Sequence, residues 1–374
     1  MDITTLLRAV AAFGLPDSSV DAPARPLTET VWSELLAHVR WQRLTNLLAQ
    51  AVSSGVLPAS EAQIAAAIDA DVPALTGVLR LEAQLLEIAD ILGGAGVRFR
   101  VLKGPAVAHL DYPDPAWRCF GDLDLLIPPD ALDDAIGLLT ELGYTRRFPQ
   151  PRDGFDRRFT KSVSLDGPDG QQLDLHRTLA AGGFGHRIIV SMLWSAPSNR
   201  FALGGREFAA LGAEERFLHA CYHLVLGNAP PRLVPQRDVA EMLHNDTVAG
   251  DRALIIASAW RGEAILARAI NTTVENLRLS SDNLLVAWAR EFQPGRREQR
   301  ELARATSPRY SYAAQAIDSV RAINGPRERL AYVSALAFPR RSYLRGRHPG
   351  AAARARHAVT GVLNARSTLK ESRD

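Results

Sequence analysis

Lysine is nearly missing from this chain: of 44 basic residues only Lys103, Lys161 and Lys370 are lysine, and the rest are arginine. Cysteine is scarcer, with Cys119 and Cys221 alone in 374 residues. Two thiols cannot build a disulfide framework or a cysteine-based zinc site, and they suit a reducing compartment, so a cytoplasmic location is expected. No charge-free apolar run approaches the roughly eighteen residues of a membrane span. Residues 1–20 carry Asp2, Arg8 and Asp17 around a short apolar patch without a cleavage-site pattern, so no signal peptide is expected. There is no Gly-x-x-x-x-Gly-Lys-Ser/Thr loop, which argues against a P-loop ATPase, and no Gly-x-Gly-x-x-Gly after a strand. No Ser-His-Asp or Cys-His order stands out, and no internal repeat is found.

What is present is ample apolar content, 47% of residues, enough for two or three domains with sizeable cores. The net charge of +3 is uneven: residues 296–374 hold 17 Lys/Arg against 6 Asp/Glu, which is +11 and leaves −8 for the remainder. A basic end of this kind either attracts a polyanion such as RNA or anionic lipid, or is an arginine-rich solvated surface. Four regions are expected: an N-terminal helical region (1–95), an α/β core (96–212), a helical domain (213–294) and a basic, partly helical C-terminal region (295–374).

In the first region, Pro26-Leu27-Thr28-Glu29 reads as a helix entry followed by Trp32, Leu35, Leu36 and Val39 at helical spacing. A second helix is expected over about 60–94, closed by Gly93, Gly94 and Gly96. The pattern then changes. Phe99–Leu102 reads as a strand, Gly104-Pro105 as a helix start, and Leu123–Ile127 as a second strand. Asp130 is expected to cap a helix bearing Leu132, Ala135, Ile136 and Leu139, ended by Gly143. Phe159–Leu165 and Gln172–His176 read as two more strands joined at Gly167-Pro168-Asp169-Gly170. Helical periodicity returns at Ala213, is interrupted at Pro230-Pro231, and meets a boundary at Pro294-Gly295. Pro326, Pro339 and Pro349 argue for short, broken helices, and residues 365–374 for a frayed end. The fold class is α+β: a small mixed sheet with flanking helices, set between helical regions.

The chemistry concentrates in Leu102-Lys103-Gly104, Arg118 and Gly-Asp122-Leu-Asp124. Alternation along a strand puts Asp122 and Asp124 on one side, where two carboxylates repel unless a cation lies between them. Oxygen ligands favour Mg²⁺. Lys103, one of three lysines, offers phosphate a compact charge beside Gly104. His219 and His223 stand at i, i+4 on a helix, a zinc-compatible spacing with no third ligand evident, and core packing is the simpler reading.

The order Leu-Lys-Gly, Tyr112, Arg118, Asp122-x-Asp124 and Asp174-Leu175-His176 resembles the uncharacterised nucleotidyltransferase family of the polymerase-β-like superfamily. The likeness centres on residues 98–178, with weaker features in the N-terminal helical region and from His219 through Arg232-Leu233 to Asp238. It implies catalytic, metal-holding Asp122, Asp124 and Asp174, two Mg²⁺ ions during turnover, and an NTP bound through Lys103, Gly104 and Arg118. The acceptor is open among RNA, a peptide and a small molecule, and the oligomeric state is unassigned. Arg118 either meets phosphate or balances the acidic cluster. Asp174 either holds metal or pairs with a cation such as Arg177. His176 orients a carboxylate, approaches substrate or is structural. Asp238 either reaches the cleft or simply pairs with Arg232. Pro105 stands where relatives have Gly or Ser, removing one N–H from the phosphate turn, and Arg177 stands where many have Trp. A non-catalytic nucleotide- or RNA-binding module on the same fold is the alternative.

Overall fold

A computed structural model describes residues 1–227, 232–245, 247–280 and 283–347. The Pro230-Pro231 interruption, Pro349 and the end at 365–374 lie outside them. The architecture is α+β. Five strands, β1 (Arg100–Leu102), β2 (Leu123–Leu126), β3 (Thr145–Arg146), β4 (Ser162–Asp166) and β5 (Gln172–His176), form a mixed sheet in the order β1-β2-β5-β4-β3. Only the β2–β5 pair is parallel.

Register decides what the sheet presents. Asp124 sits opposite Asp174, and Asp174 opposite Ser164. Paired residues share a face, so these three side chains form one polar row across the middle of the sheet. The other face is apolar. Val101, Leu123, Leu125, Val163, Leu165, Leu173 and Leu175 belong to one core with Leu81, Leu85, Ile88 and Leu92 of the long helix Glu61–Gly94 and Leu132, Ala135 and Leu139 of the helix Leu132–Glu141. That long helix starts where Ser60 and Gln63 cap each other's backbone N–H groups. It ends at Gly94, with Gly96 at φ +70° in the exit turn.

On the polar face, Leu102 and Leu126 join a second core built by the helices Ala213–Leu226, Gly250–Ala259, Glu263–Leu277 and Leu284–Glu291. A third core packs the N-terminal helices against Leu233, Ala240, Leu277 and Leu279. Buried ion pairs tie these layers together. Arg216 donates to both oxygens of Asp111 at 2.7 and 2.8 Å, and Arg237 holds Glu241 together with the carbonyls of Ala11 and Phe13.

Two local expectations are corrected. Phe159 is not in a strand: Phe155–Phe159 is a short helix and β4 begins at Ser162. Both rings pack on Tyr332 of the helix Pro326–Ala337, and Thr160 Oγ1 donates to Asp156. Helical i, i+4 spacing brings the two phenylalanines together and outweighs the β preference of the segment. Asp130 does not cap its helix, because Pro128–Ala131 forms a turn and Ala131 takes the cap position. Asp133 and Asp134 supply negative charge in the first turn instead.

Candidate active site

The strand β1 runs into the helix Gly104–Asp111 through a sharp turn at Lys103, whose backbone adopts φ 40°, ψ −131°. A Cβ on Gly104 would lie 3.2 Å from the Phe120 ring, so only glycine fits without moving that ring. The N–H groups at the start of this helix have no intrahelical acceptor, and Pro105 contributes none.

Facing that turn is a cavity of about 240 Å³ lined by Lys103, Gly104, Asp122, Asp124, Lys161 and Asp174, among others. Arg43, Arg118 and Arg232 also border it, so five cationic side chains meet three carboxylates. An excess of positive charge around a hard-oxygen cluster suits a bound polyphosphate.

Asp124 is the most enclosed of the carboxylates, at 2% exposure. Lys103 Nζ lies 2.9 Å from each of its oxygens, and His176 Nε2 lies 2.6 Å from Oδ1. Burial alone would raise the Asp124 pKa, but Lys103 and His176 together hold it well below the ordinary carboxylate value. Burial would lower the Lys103 pKa, yet Asp124, Asp122 and Asp174 carry it above the usual lysine value. His176 is wholly buried, and burial lowers its pKa despite the opposing pull of Asp124. Its Nδ1 faces the carbonyl of Thr178 at 3.2 Å. Nδ1 therefore carries the proton toward that carbonyl only if Nε2 accepts, and with an ionised Asp124 the favoured tautomer has Nε2 donating.

Asp174 contrasts with Asp124. It forms no ion pair among the described residues, and its side chain accepts a long 3.4 Å hydrogen bond from Gln172. Asp122 precedes β2 rather than lying in it, and meets Arg43 at 3.8 Å. The side chains whose ligand atoms cluster, within 4.8 Å of one another, are Asp124, Asp174 and His176. Two carboxylates with an imidazole at their back fit a divalent cation, with Asp122 reaching the same cavity from the chain just before β2.

Residues 28–277, well over half the chain, match the family described as uncharacterised nucleotidyltransferase. The chain belongs to that family. Comparison with curated proteins finds no match. In this nucleotidyltransferase family member, the turn, the paired carboxylates and the later-strand carboxylate all border one cavity.

Other expected site residues have different surroundings. Arg118 is buried and donates from Nε and Nη2 to the two oxygens of Asp238, both at 2.8 Å, and from Nη1 to the Gly104 carbonyl at 3.3 Å. Its side chain is almost wholly buried, and its geometry is that of a brace on the Gly104 turn. Asp238 does not pair with Arg232, and Arg177 does not pair with Asp174. Asp238 takes Arg118 and the Tyr112 hydroxyl, Arg232 stacks 5.3 Å over the Trp41 ring, and Arg177 donates to the Thr160 carbonyl. His219 and His223 are outside the ligand cluster, and burial holds both well below the usual histidine value. His219 packs edge-on to His176 at 6.4 Å, whereas His223 lines the cavity.

Sequence reasoning missed Lys161. It borders the cavity, and burial followed by the charge of Lys103 lowers its pKa to about 8. The signal was available: two of the three lysines in an arginine-rich chain stand in this one site.

Proposed function

We propose that this protein is a Mg²⁺-dependent nucleotidyltransferase that moves a nucleoside monophosphate from an NTP to an acceptor hydroxyl or phosphate. One observation carries the reading: Asp124 and Asp174 occupy opposed positions on adjacent parallel strands, inside a cation-rich cavity that also contains the Gly104 turn. In the reaction an acceptor oxygen bonds to the α-phosphorus, the bond to pyrophosphate breaks, and the acceptor's proton must leave. Asp174, which has no direct ion pair among the described residues though Lys103 and Lys161 share its cavity, would receive that proton.

Asp122, Asp124 and Asp174 would hold the ions, and bound Mg²⁺ supplies a lowered acceptor pKa and charge neutralisation on the triphosphate. Lys103, released from Asp124, is in reach of the β- and γ-phosphates, with Arg43, Arg232 and the helix start around them. His176 keeps the Asp124 carboxylate in one orientation. Arg118, tied to Asp238, holds the Gly104 carbonyl and thereby the turn.

The test follows α-phosphate label from each NTP with Mg²⁺, in the wild type and in Asp124→Asn and Asp174→Asn. Transfer by the wild type, abolished by EDTA and by either substitution, is expected. Equal transfer by all three proteins overturns the assigned roles. The alternative, a nucleotide- or RNA-binding module, has one observation in its favour: Lys103 and His176 already engage both Asp124 oxygens. It predicts salt-dependent binding, indifferent to EDTA, without pyrophosphate release.

A further inference from the structure

The polar row of the sheet continues past Asp174 to Ser164 on β4, and there a second cavity opens, of about 300 Å³. Its floor is Ser162 and Ser164, and Lys161 borders both this cavity and the one holding the carboxylates. One wall is the aromatic group Phe155, Phe159 and Tyr332, with Phe155 and Tyr332 stacked at 5.6 Å and 25°. Adjoining it is the helix Tyr312–Ala322, which contributes Tyr312, Gln315 and Ser319. That helix approaches closely because Gly183 has no Cβ, which would lie 3.1 Å from the Asp318 carbonyl.

The lining defines the ligand. Arg146 and Asp156 are paired with each other, and Thr160 also donates to Asp156, so neither charge is offered to a guest. Lys161 forms no ion pair among the described residues and stands at the shared border, on the side of the carboxylates. What remains is an apolar wall of closely packed rings beside the hydroxyls of Ser162 and Ser164 and the amide of Gln315. At about 300 Å³ the space is at the low end of small-molecule pockets and takes one ring system, not a folded macromolecule. Tyr312, Gln315, Ser319 and Tyr332 lie in C-terminal helices beyond the family match at 28–277.

We infer that this second cavity is the acceptor subsite, and that it takes an uncharged, hydroxyl-bearing small molecule with an apolar part. The inference rests on the nucleotidyltransferase reading for the word acceptor, but its binding claim stands alone. Seated against Phe155 and Tyr332, such a molecule directs a hydroxyl along the row from Ser164 toward Asp174. NTP then occupies the cavity on the Lys103 side, and the two substrates meet at the paired carboxylates.

The experiment measures binding by the full chain of uridine, methyl glucoside and N-acetyltyrosinamide, each with Mg²⁺ and a non-hydrolysable NTP analogue, using ligand-observed NMR and calorimetry. Gln315→Trp fills the cavity from its helical wall, and Tyr312→Ala opens it from the edge if the first variant fails to fold. At least one probe is expected to bind the wild type and to weaken by about tenfold or more in the variant, while the analogue's affinity stays within about twofold. Failure of every probe to bind, or equal probe binding in wild type and both variants, overturns the inference. A loss confined to the NTP analogue also overturns it, because the cavity would then hold the nucleobase. If probes bind as expected but no label is ever transferred from NTP, the enzymatic reading fails and the cavity assignment survives as a binding site.

Discussion

Replacing Asp238 by alanine would leave a guanidinium stranded in the protein interior. Arg118 and Asp238 are each about 4% exposed in their side chains, and they join through two 2.8 Å hydrogen bonds. Removing one member of a buried pair costs about 3–5 kcal/mol, because the other charge stays buried without a partner. The Tyr112 hydroxyl, which donates to the same carboxylate at 2.8 Å, loses its acceptor and adds about 1 kcal/mol. Asp238→Ala should therefore cost roughly 4–6 kcal/mol, and Arg118→Met slightly less, about 3–5 kcal/mol, since Tyr112 keeps its partner. The double variant Arg118→Met/Asp238→Leu removes both charges and fills the space, so it should cost less than either single change. Urea unfolding of the three variants at pH 7, followed by circular dichroism, measures each cost. Additive costs, or a cost under about 1 kcal/mol for Asp238→Ala, would show that water reaches this pair and that the brace on the Gly104 turn is not real.

Four shorter expectations follow. His176→Gln should raise the Mg²⁺ concentration needed for half-maximal transfer by about 10–100-fold, read from metal titrations at saturating NTP, and an unchanged requirement would remove His176 from the metal site. Lys103→Met should weaken NTP binding, and Lys103→Gly should do the same while unfolding at higher urea than Lys103→Met, because glycine accepts φ 40° without strain. His186, on the helix Gly182–Arg187, packs edge-on to Phe159 and Tyr332, and burial lowers its pKa to about 4. Its folded pKa is below the ordinary 6.5, so the unfolded chain binds more protons between them and stability falls as pH drops from 6.5 to 4; His186→Phe should flatten that slope in urea midpoints. Lys161, with pKa lowered to about 8 from 10.5, follows the same rule at higher pH: its contribution to stability should rise from pH 8 to 10.5, and Lys161→Met should abolish that rise.

Local physics made much of the core readable before any coordinates. The helical periodicity from about 60, the glycine exit at 93–96 and the Gly167–Gly170 turn are short-range signals, and each gave an element near its observed bounds. The Asp122-x-Asp124 pair and Asp174 were visible as motif positions, but their grouping depended on register. Parallel pairing of β2 with β5 places His176 beside Asp124 although 52 residues separate them, and no local pattern encodes that. The same holds for Arg118 and Asp238, 120 residues apart, where the nearer arginine at 232 was the misleading choice. The Phe155–Phe159 helix was hidden because its stabilising partner, Tyr332, comes from the far end of the chain. Tertiary contact decided what β propensity alone could not.

The rarity of lysine gains its meaning from Lys103. Four non-glycine residues among those described have positive φ: Arg43, Lys103, Arg261 and Arg278. Arg43 and Arg278 sit in the left-handed helical region at helix ends, a conformation that side chains tolerate. Lys103 instead combines φ 40° with ψ −131°, territory that glycine enters freely and a lysine enters at a cost of about 1–3 kcal/mol. Glycine at this position would relax the turn before Gly104, so the strain is carried for the side chain. That side chain is the counter-ion that keeps Asp124 ionised at 2% exposure. A long flexible stem with a point charge can exchange one anion for another without rebuilding the pocket, whereas a planar guanidinium is committed to its fork. Arg118, held on Asp238, shows what arginine does a few ångströms away: it fixes the frame. On the proposed reading Lys103 is the cation suited to pass between a carboxylate and a phosphate, and with Lys161 it is one of two positions in the site where the chain departs from its prevailing use of arginine.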